Sequence, residues 1–324
     1  MSKLYISHRD GSILFLALWA LCILSIFAVA LGSKISQQIN LAEYFKNKPA
    51  ARYLAEAAIK RAQGIISEEK NAFDSLNEPW SSGRYGDGDM SVLNEIDFGD
   101  GTYSARITDE ERKININTAT RGVLEALLMQ KAGGGEYEAS YIANSIIDWR
   151  DADNVPLEGG AEEEHYLSLE KPHRPKNGKF EVIEELLLVK GISPEVFSKI
   201  RGLITVYGDG RVNINTANRD VLCALGLDAE SADRIISFRD GADRIEGTED
   251  DNALKDPSTI VNDIRLGAGL DQAGINRLIE IVSRGILAVN STNFMVEAEG
   301  RIGRRTERII CVTDKGKNIE YWRE

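Results

Sequence analysis

Residues Ser12 to Leu31 read SILFLALWALCILSIFAVAL. These 20 residues carry no charge, and at helical rise they span about 30 Å, the hydrocarbon thickness of a bilayer. In front stands the short segment MSKLYISHRDG, residues 1–11, with Lys3, His8 and Arg9. Behind it the chain is polar to residue 324. The run therefore predicts one membrane anchor carrying a large polar body. Three arrangements of the anchor are open. It is long for a cleaved secretory signal, and no A-x-A site comes before Ala28-Val29-Ala30. It fits a plain signal anchor. A cut between Gly11 and Ser12 would leave the whole run on the mature chain. Charge alone orients it weakly, because Lys3 and Arg9 on one side face Lys34, Lys46 and Lys48 on the other.

Beyond Gly32, Ala51, Leu54, Ala55, Ala58, Ala62, Ile65 and Ile66 fall at helical spacing. Arg52, Glu56, Lys60 and Arg61 take the other face. Pro49 either kinks this helix or opens a second one. Residues 71–101, rich in Gly, Ser, Asn and Asp, read as loops. Residues 102–108 alternate as a strand, and so do 294–300 and 306–313, separated by a turn at Gly303. The three make a small antiparallel sheet interrupted by a long insertion.

The insertion repeats itself. ININTATRGVL at 114–124 returns as VNINTANRDVL at 212–222, so that Asn115, Asn117, Thr118, Ala119 and Arg121 match Asn213, Asn215, Thr216, Ala217 and Arg219. Asn117 or Thr118 is the expected cap of a helix through Val123, Leu124 and Leu127. SIIDWRDAD at 145–153 then parallels RIISFRDGAD at 234–243, and each is followed by a helical pair around a glycine. Two helical units in tandem are predicted, 113–210 and 211–288.

A formal charge of −12 opposes phosphate backbones. The repeat is similar to helix-hairpin-helix modules, some of which bind DNA, and a membrane-anchored DNA-binding protein is one alternative. A phosphate contact there needs a tight glycine hairpin with basic neighbours. Leu225-Gly226-Leu227-Asp228-Ala229-Glu230 and Gly133-Gly134-Gly135-Glu136-Tyr137-Glu138 offer acids instead. No nucleophile motif, Walker loop or H-E-x-x-H occurs, and no enzyme is expected. Cys22, Cys223 and Cys311 show no pairing pattern, and small buried thiols are the default for the last two.

Asp148, Asp151, Asp153 and Glu162 to Glu164 crowd one loop. Carboxylates held together repel unless a cation neutralises them, and oxygen ligands alone favour Ca²⁺ over Zn²⁺. The loop is not an EF-hand, since Val155 and Pro156 stand where a ligand and Gly are required. It is read either as solvated acids or as a metal site of Asp148, Asp151, Asp153 and Glu162. Asp148 could equally be a cap. Asp240–Asp251 is a weaker candidate. An anchored calcium-dependent binding module is a second alternative for the whole chain.

The charged leader, Gly11 and the apolar run that follows at once resemble type IV prepilin-like leaders. Most pilins carry glutamate as the fifth mature residue, but here that position is Leu16. The type II secretion minor pseudopilin family called protein K is known for lacking it. Lys113–Ala119, Asp148–Asp153, Gly159–Glu162 and Glu297–Arg301 also look like that family. The resemblance implies an α+β fold: a pilin-like head, in which a long N-terminal transmembrane helix packs on a small antiparallel sheet, with a large tandem-repeat α-helical insertion. It divides the chain into leader 1–11, transmembrane helix 12–31, helix and first head part 32–112, insertion 113–288 and closing strands 289–324. It implies structural Ca²⁺ in the insertion and processing at Gly11/Ser12 by a prepilin peptidase. The N-terminus would be cytoplasmic before processing, the helix in the Gram-negative inner membrane and the body periplasmic. Implied partners are I- and J-type minor pseudopilins and the major pseudopilin, with no nucleic acid. The role would be to initiate or cap the pseudopilus that exports folded proteins. Leu16, Ala51, Leu54, Ala55, Ala58, Ala62 and Ile65 are the candidate partner-packing residues.

Overall fold

A computed structural model describes residues 10–82, 93–133, 135–315 and 317–323, with side chains from residue 13 onward. Residues 1–9 of the expected leader 1–11 lie outside them, and the side chains of the Gly11/Ser12 junction do too. Helix α1 runs unbroken from Asp10 to Glu68 through Pro49. Proline removes one backbone donor there without ending the helix, so no second helix begins at Pro49. Residues 13–46 of α1 are exposed, and the segment is long and apolar enough to cross a membrane.

The upper part of α1 lies on a five-stranded antiparallel sheet of order β1-β2-β7-β8-β9. Its strands are β1 Ile96–Phe98, β2 Gly101–Asp109, β7 Asn293–Ile302, β8 Arg305–Asp314 and β9 Asn318–Arg323. Phe294, Val296, Ala298, Ile309 and Cys311 alternate toward the helix. Ala51, Leu54, Ala55, Ala58, Ala62 and Ile65 meet the sheet and are almost fully buried. They are thus committed to the chain's own core, which corrects their assignment as a partner-packing surface. A stripe of alanines brings helix and strands close. Gly300 completes the contact, since a Cβ there would stand 2.0 Å from the Ala51 carbonyl oxygen. Leu16, by contrast, is exposed on the membrane segment. The 71–101 stretch, expected as loops, contains the short helix α2 Pro79–Ser82 and strand β1. Residues 83–92 are not described.

The insertion leaves the sheet after Asp109 and returns at Asn293, next to Asp109's register partner Phe294. Thr313 receives a hydrogen bond from Gln63 near the top of α1, whereas Gly300 sits over Ala51 and Ala55. The insertion therefore emerges at the end of the sheet farthest from the membrane segment. It comprises β3 Ile114–Asn115, α3 Arg121–Lys131, α4 Glu136–Arg150, α5 Glu163–Leu167, a 3₁₀ turn at Ile183–Leu188, α6 Pro194–Ile200, β4 Ile204–Thr205, β5 Val212–Asn213, α7 Arg219–Ala224, α8 Ala229–Arg239, α9 Ile260–Gly267, α10 Gln272–Ser283 and β6 Leu287–Ala288.

Two parallel pairs of two residues tie its ends, β3 with β4 and β5 with β6. Matching residues do matching work. Asn117 clamps the backbone of Phe180 by its amide nitrogen and oxygen (3.0 and 2.7 Å), as Asn215 clamps Leu254 (2.8 and 2.8 Å). Arg150 donates to the carbonyls of Ile116 and Ala119, as Arg239 does to Ile214 and Ala217. The expected caps are corrected. Thr120 stands at the start of α3 without a side-chain cap, and Asn218 caps α7 through the Val221 N–H. Asn117 and Asn215 are spent on the clamps. Asp228 caps α8 and pairs with Arg277, so a carboxylate occupies the helix end where a phosphate contact would need free N–H groups.

Head and insertion meet on buried acids. Asp109 accepts hydrogen bonds from the Glu111 N–H and from Asn213, Thr216 and Ser291. Glu111 accepts from Thr292 and Asn293. Burial, then the neighbouring Asp109, pushes Glu111 up to about 8, and burial also raises Asp109. Asp74 is held by Lys315 at 2.7 Å. Cys223, half-buried in the insertion, and Cys311, buried in β8, are both free thiols.

Candidate metal centre

Helix α4 carries Asp148 near its C-terminal end, and Asp151 is the residue that closes it. The following loop folds back so that Glu162 begins α5. The backbone N–H groups of Leu157 and Ala161 donate to Asp148 at 3.2 and 2.8 Å. Lys190 ties the carbonyls of Gly159 and Gly160. Gly160 must lack a side chain, because a Cβ would lie 1.9 Å from Asp148 Oδ2. Trp149, Tyr166 and Phe180, all buried, form an aromatic floor.

The loop gathers one carboxylate oxygen each from Asp148, Asp151 and Glu162 within 4.8 Å of one another. Asp153 is exposed and accepts the Val155 N–H instead. It stays outside the gathered set, although its charge is felt there. Burial first, then Asp148, Asp151 and Asp153, push Glu162 up to about 7. Burial and neighbouring carboxylates raise Asp148 and Asp151 as well. Both oxygens of Glu162 and Oδ1 of Asp151 are enclosed without a hydrogen-bond donor. Orphaned carboxylate oxygens facing one another fit a hard divalent cation, and Ca²⁺ accepts such oxygen-only sets.

The second acidic stretch behaves differently. Asp250 accepts the N–H groups of Ala242 and Asp243, and Asp251 those of Gly247 and Thr248. Its acids fold their own loop and are not gathered as a metal set among the described residues. His165, edge-on to Tyr166, is a packing contact. Beside this cluster lies one residue that the sequence did not single out: Asn144, wholly buried one turn before Asp148, an ordinary polar position on α4 by its local sequence.

A single helix that is both membrane anchor and backbone of an antiparallel head, crowned by a helical insertion with an oxygen-lined loop, defines a pseudopilin-type subunit. Comparison with known proteins agrees. Residues 102–209 match the family model for the type II secretion system (T2SS), protein K. The chain is similar to the type II secretion system protein K of Pectobacterium carotovorum subsp. carotovorum (24 % identity over 226 residues, 64 % of this chain and 66 % of that protein). It is also similar to that of Pseudomonas aeruginosa (27 % over 295 residues, 87 % and 80 %). Its fold matches a chain of the crystal structure of the GspK–GspI–GspJ complex from enterotoxigenic Escherichia coli. There the TM-score is 0.59 at 18 % identity, covering 90 % of this chain and 98 % of that one. The family model and the relatives together support a protein K-like minor pseudopilin of type II secretion.

Proposed function

We propose that this chain is the tip subunit of a type II secretion pseudopilus, starting its assembly or capping it. Its α1 would sit in the inner membrane after a prepilin peptidase cuts between Gly11 and Ser12, with the body in the periplasm. The observation that carries the reading is the place of the insertion. It rises from the end of the sheet remote from the membrane segment, where a further subunit would have to stack. The solved complex similar in fold contains I- and J-type partners, and we assign the same kinds of partner to this chain, with the major pseudopilin below. Their contact would fall on the exposed part of α1, where Ile35, Ile39, Leu41 and Phe45 lie open. We read the insertion as two copies of one helical unit, and the cluster of Asp148, Asp151 and Glu162 as a structural Ca²⁺ site that pins the loop between α4 and α5.

Two measurements test this. Mass spectrometry of the chain made with and without prepilin peptidase gives a peptide starting at Ser12 only with the enzyme. A start at Met1 in both sinks the processing step. Gold attached to the insertion marks one end of assembled pseudopili in electron micrographs. Gold spaced along their length refutes the tip position.

A further inference from the structure

Asn144 and Asp148 stand four residues apart on one face of α4. Both reach the same turn of the metal loop. The Asn144 Nδ2 donates to the Glu158 carbonyl at 2.7 Å, while Asp148 takes the N–H groups of Leu157 and Ala161 on either side of it. Glu162 follows directly. That bond fixes the amide's orientation, because turning it over would set two acceptors against each other. Oδ1 is thereby aimed away from Glu158. It is enclosed, in a residue that is 0 % exposed, and meets no donor. A buried acceptor without a partner is costly and calls for one. Glu162 and Asp151 leave their oxygens in the same condition.

We propose that Asn144 Oδ1 is a fourth protein oxygen of the cation site, a neutral ligand beside Asp148, Asp151 and Glu162. This rests on the reading of the cluster as a divalent-cation site. A neutral oxygen suits the position, since a fourth carboxylate would add repulsion to acids already crowded. Ca²⁺ takes about six to eight oxygens, so a fourth protein ligand leaves fewer places for water.

Terbium(III), a Ca²⁺ surrogate excited through nearby Trp149 or Tyr166, reads the ligand count. Its luminescence lifetimes in H₂O and D₂O give the number of bound waters, measured on the full chain in detergent. Asn144→Leu removes the oxygen and the Glu158 bond together. Asn144→Asp keeps an oxygen at the site but removes the Glu158 bond and adds a negative charge. The expected result is one additional bound water and binding weaker by about tenfold or more for Asn144→Leu, with the wild-type count for Asn144→Asp. An unchanged count in Asn144→Leu overturns the assignment, and so do equal changes in both variants, which would mean that only the Glu158 bond matters. If Asn144→Leu does not fold, an altered count in Asn144→Asp overturns the assignment and an unaltered one supports it. A wild-type chain that binds no terbium and gains no thermal stability from Ca²⁺ removes the cation reading itself and the assignment with it.

Discussion

Gly300→Ala tests how the head is held on its helix. Gly300 lies on β7 beneath α1, and a Cβ there would stand 2.0 Å from the Ala51 carbonyl oxygen, 2.6 Å from the Ala55 nitrogen and 2.7 Å from Leu54 Cβ. Two of these atoms are helix backbone and cannot rotate away, so the helix must lift by about an ångström to restore normal contact. Overpacking of this kind costs about 1–3 kcal/mol. Replacing Gly by Ala also recovers about 0.4–1 kcal/mol by stiffening the unfolded chain. The steric term wins, and a net loss of about 1–2 kcal/mol is expected. Gly303→Ala is the control. It meets nothing within 4 Å but has φ +55, so it should lose about 1 kcal/mol through backbone strain alone. The assay is amide hydrogen exchange of the full chain in detergent. Residues 51–66 should exchange faster in Gly300→Ala, whereas in Gly303→Ala the change should stay at the β7–β8 turn. If α1 exchanges in Gly300→Ala as it does in the wild type, the close approach of helix and sheet is wrong.

Other perturbations reach the insertion and its seam. Glu111 holds its proton more tightly folded than unfolded, so its contribution is complete below about pH 4.5 and is lost as pH rises toward about 8. Urea titrations at pH 5.5 and 8.5 should show a smaller difference in Glu111→Gln than in the wild type, and an equal difference would exonerate this carboxyl. Asn215→Ala strands the buried N–H and C=O of Leu254 and should cost about 2–4 kcal/mol. It should also open the Leu254 amide to exchange more than Asn117→Ala opens that of Phe180, because Asn117 is only half-buried. Gly160→Ala pushes into Asp148 and should abolish any rise in melting temperature on adding Ca²⁺. A rise equal to the wild type's would clear the loop of that dependence.

How far the sequence was readable depends on how local each feature is. The anchor, the stripe Ala51–Ile66 and the β7–β8 hairpin are written in periods of 3.6 and 2, and those periods survive folding. The two-residue strands β3 to β6 carry no period. They exist because Ile114 meets Ile204 and Val212 meets Leu287, 90 and 75 residues away. Asp109, Glu110 and Glu111, a run of three acids, supply the buried seam. Nothing in the local sequence marks them as buried, since their donors come from Asn213, Thr216, Ser291, Thr292 and Asn293. Three of the four acids read as metal ligands were brought together, and Asp153 was not. The signal for Asn144 was available but faint: a poor helix former amid the apolar positions of a helix, in step with Asp148.

The same seam bears on how firmly the insertion is held on the head. Only two chain crossings join it to the sheet, at residues 110–113 and 289–292, and two bare linkers would let it swing. The structure places hydrogen-bonded acids at those crossings. Asp109 links the end of β2 to the second unit through Asn213 and Thr216, and to the return strand through Ser291. Asp74, from the loop after α1, accepts the Ser291 N–H and pairs with Lys315 beyond β8. Helix, sheet and insertion therefore share one network, and removing a single partner leaves a buried carboxylate short of a donor. On the proposed reading, a subunit that blocks one end of a filament would need this stiffness more than affinity, because an insertion that tilted aside would expose the surface beneath it. On the proposed reading, a loosened seam such as Asp109→Ala would show first as pseudopili that fail to stop at this subunit, before the head itself lost its fold.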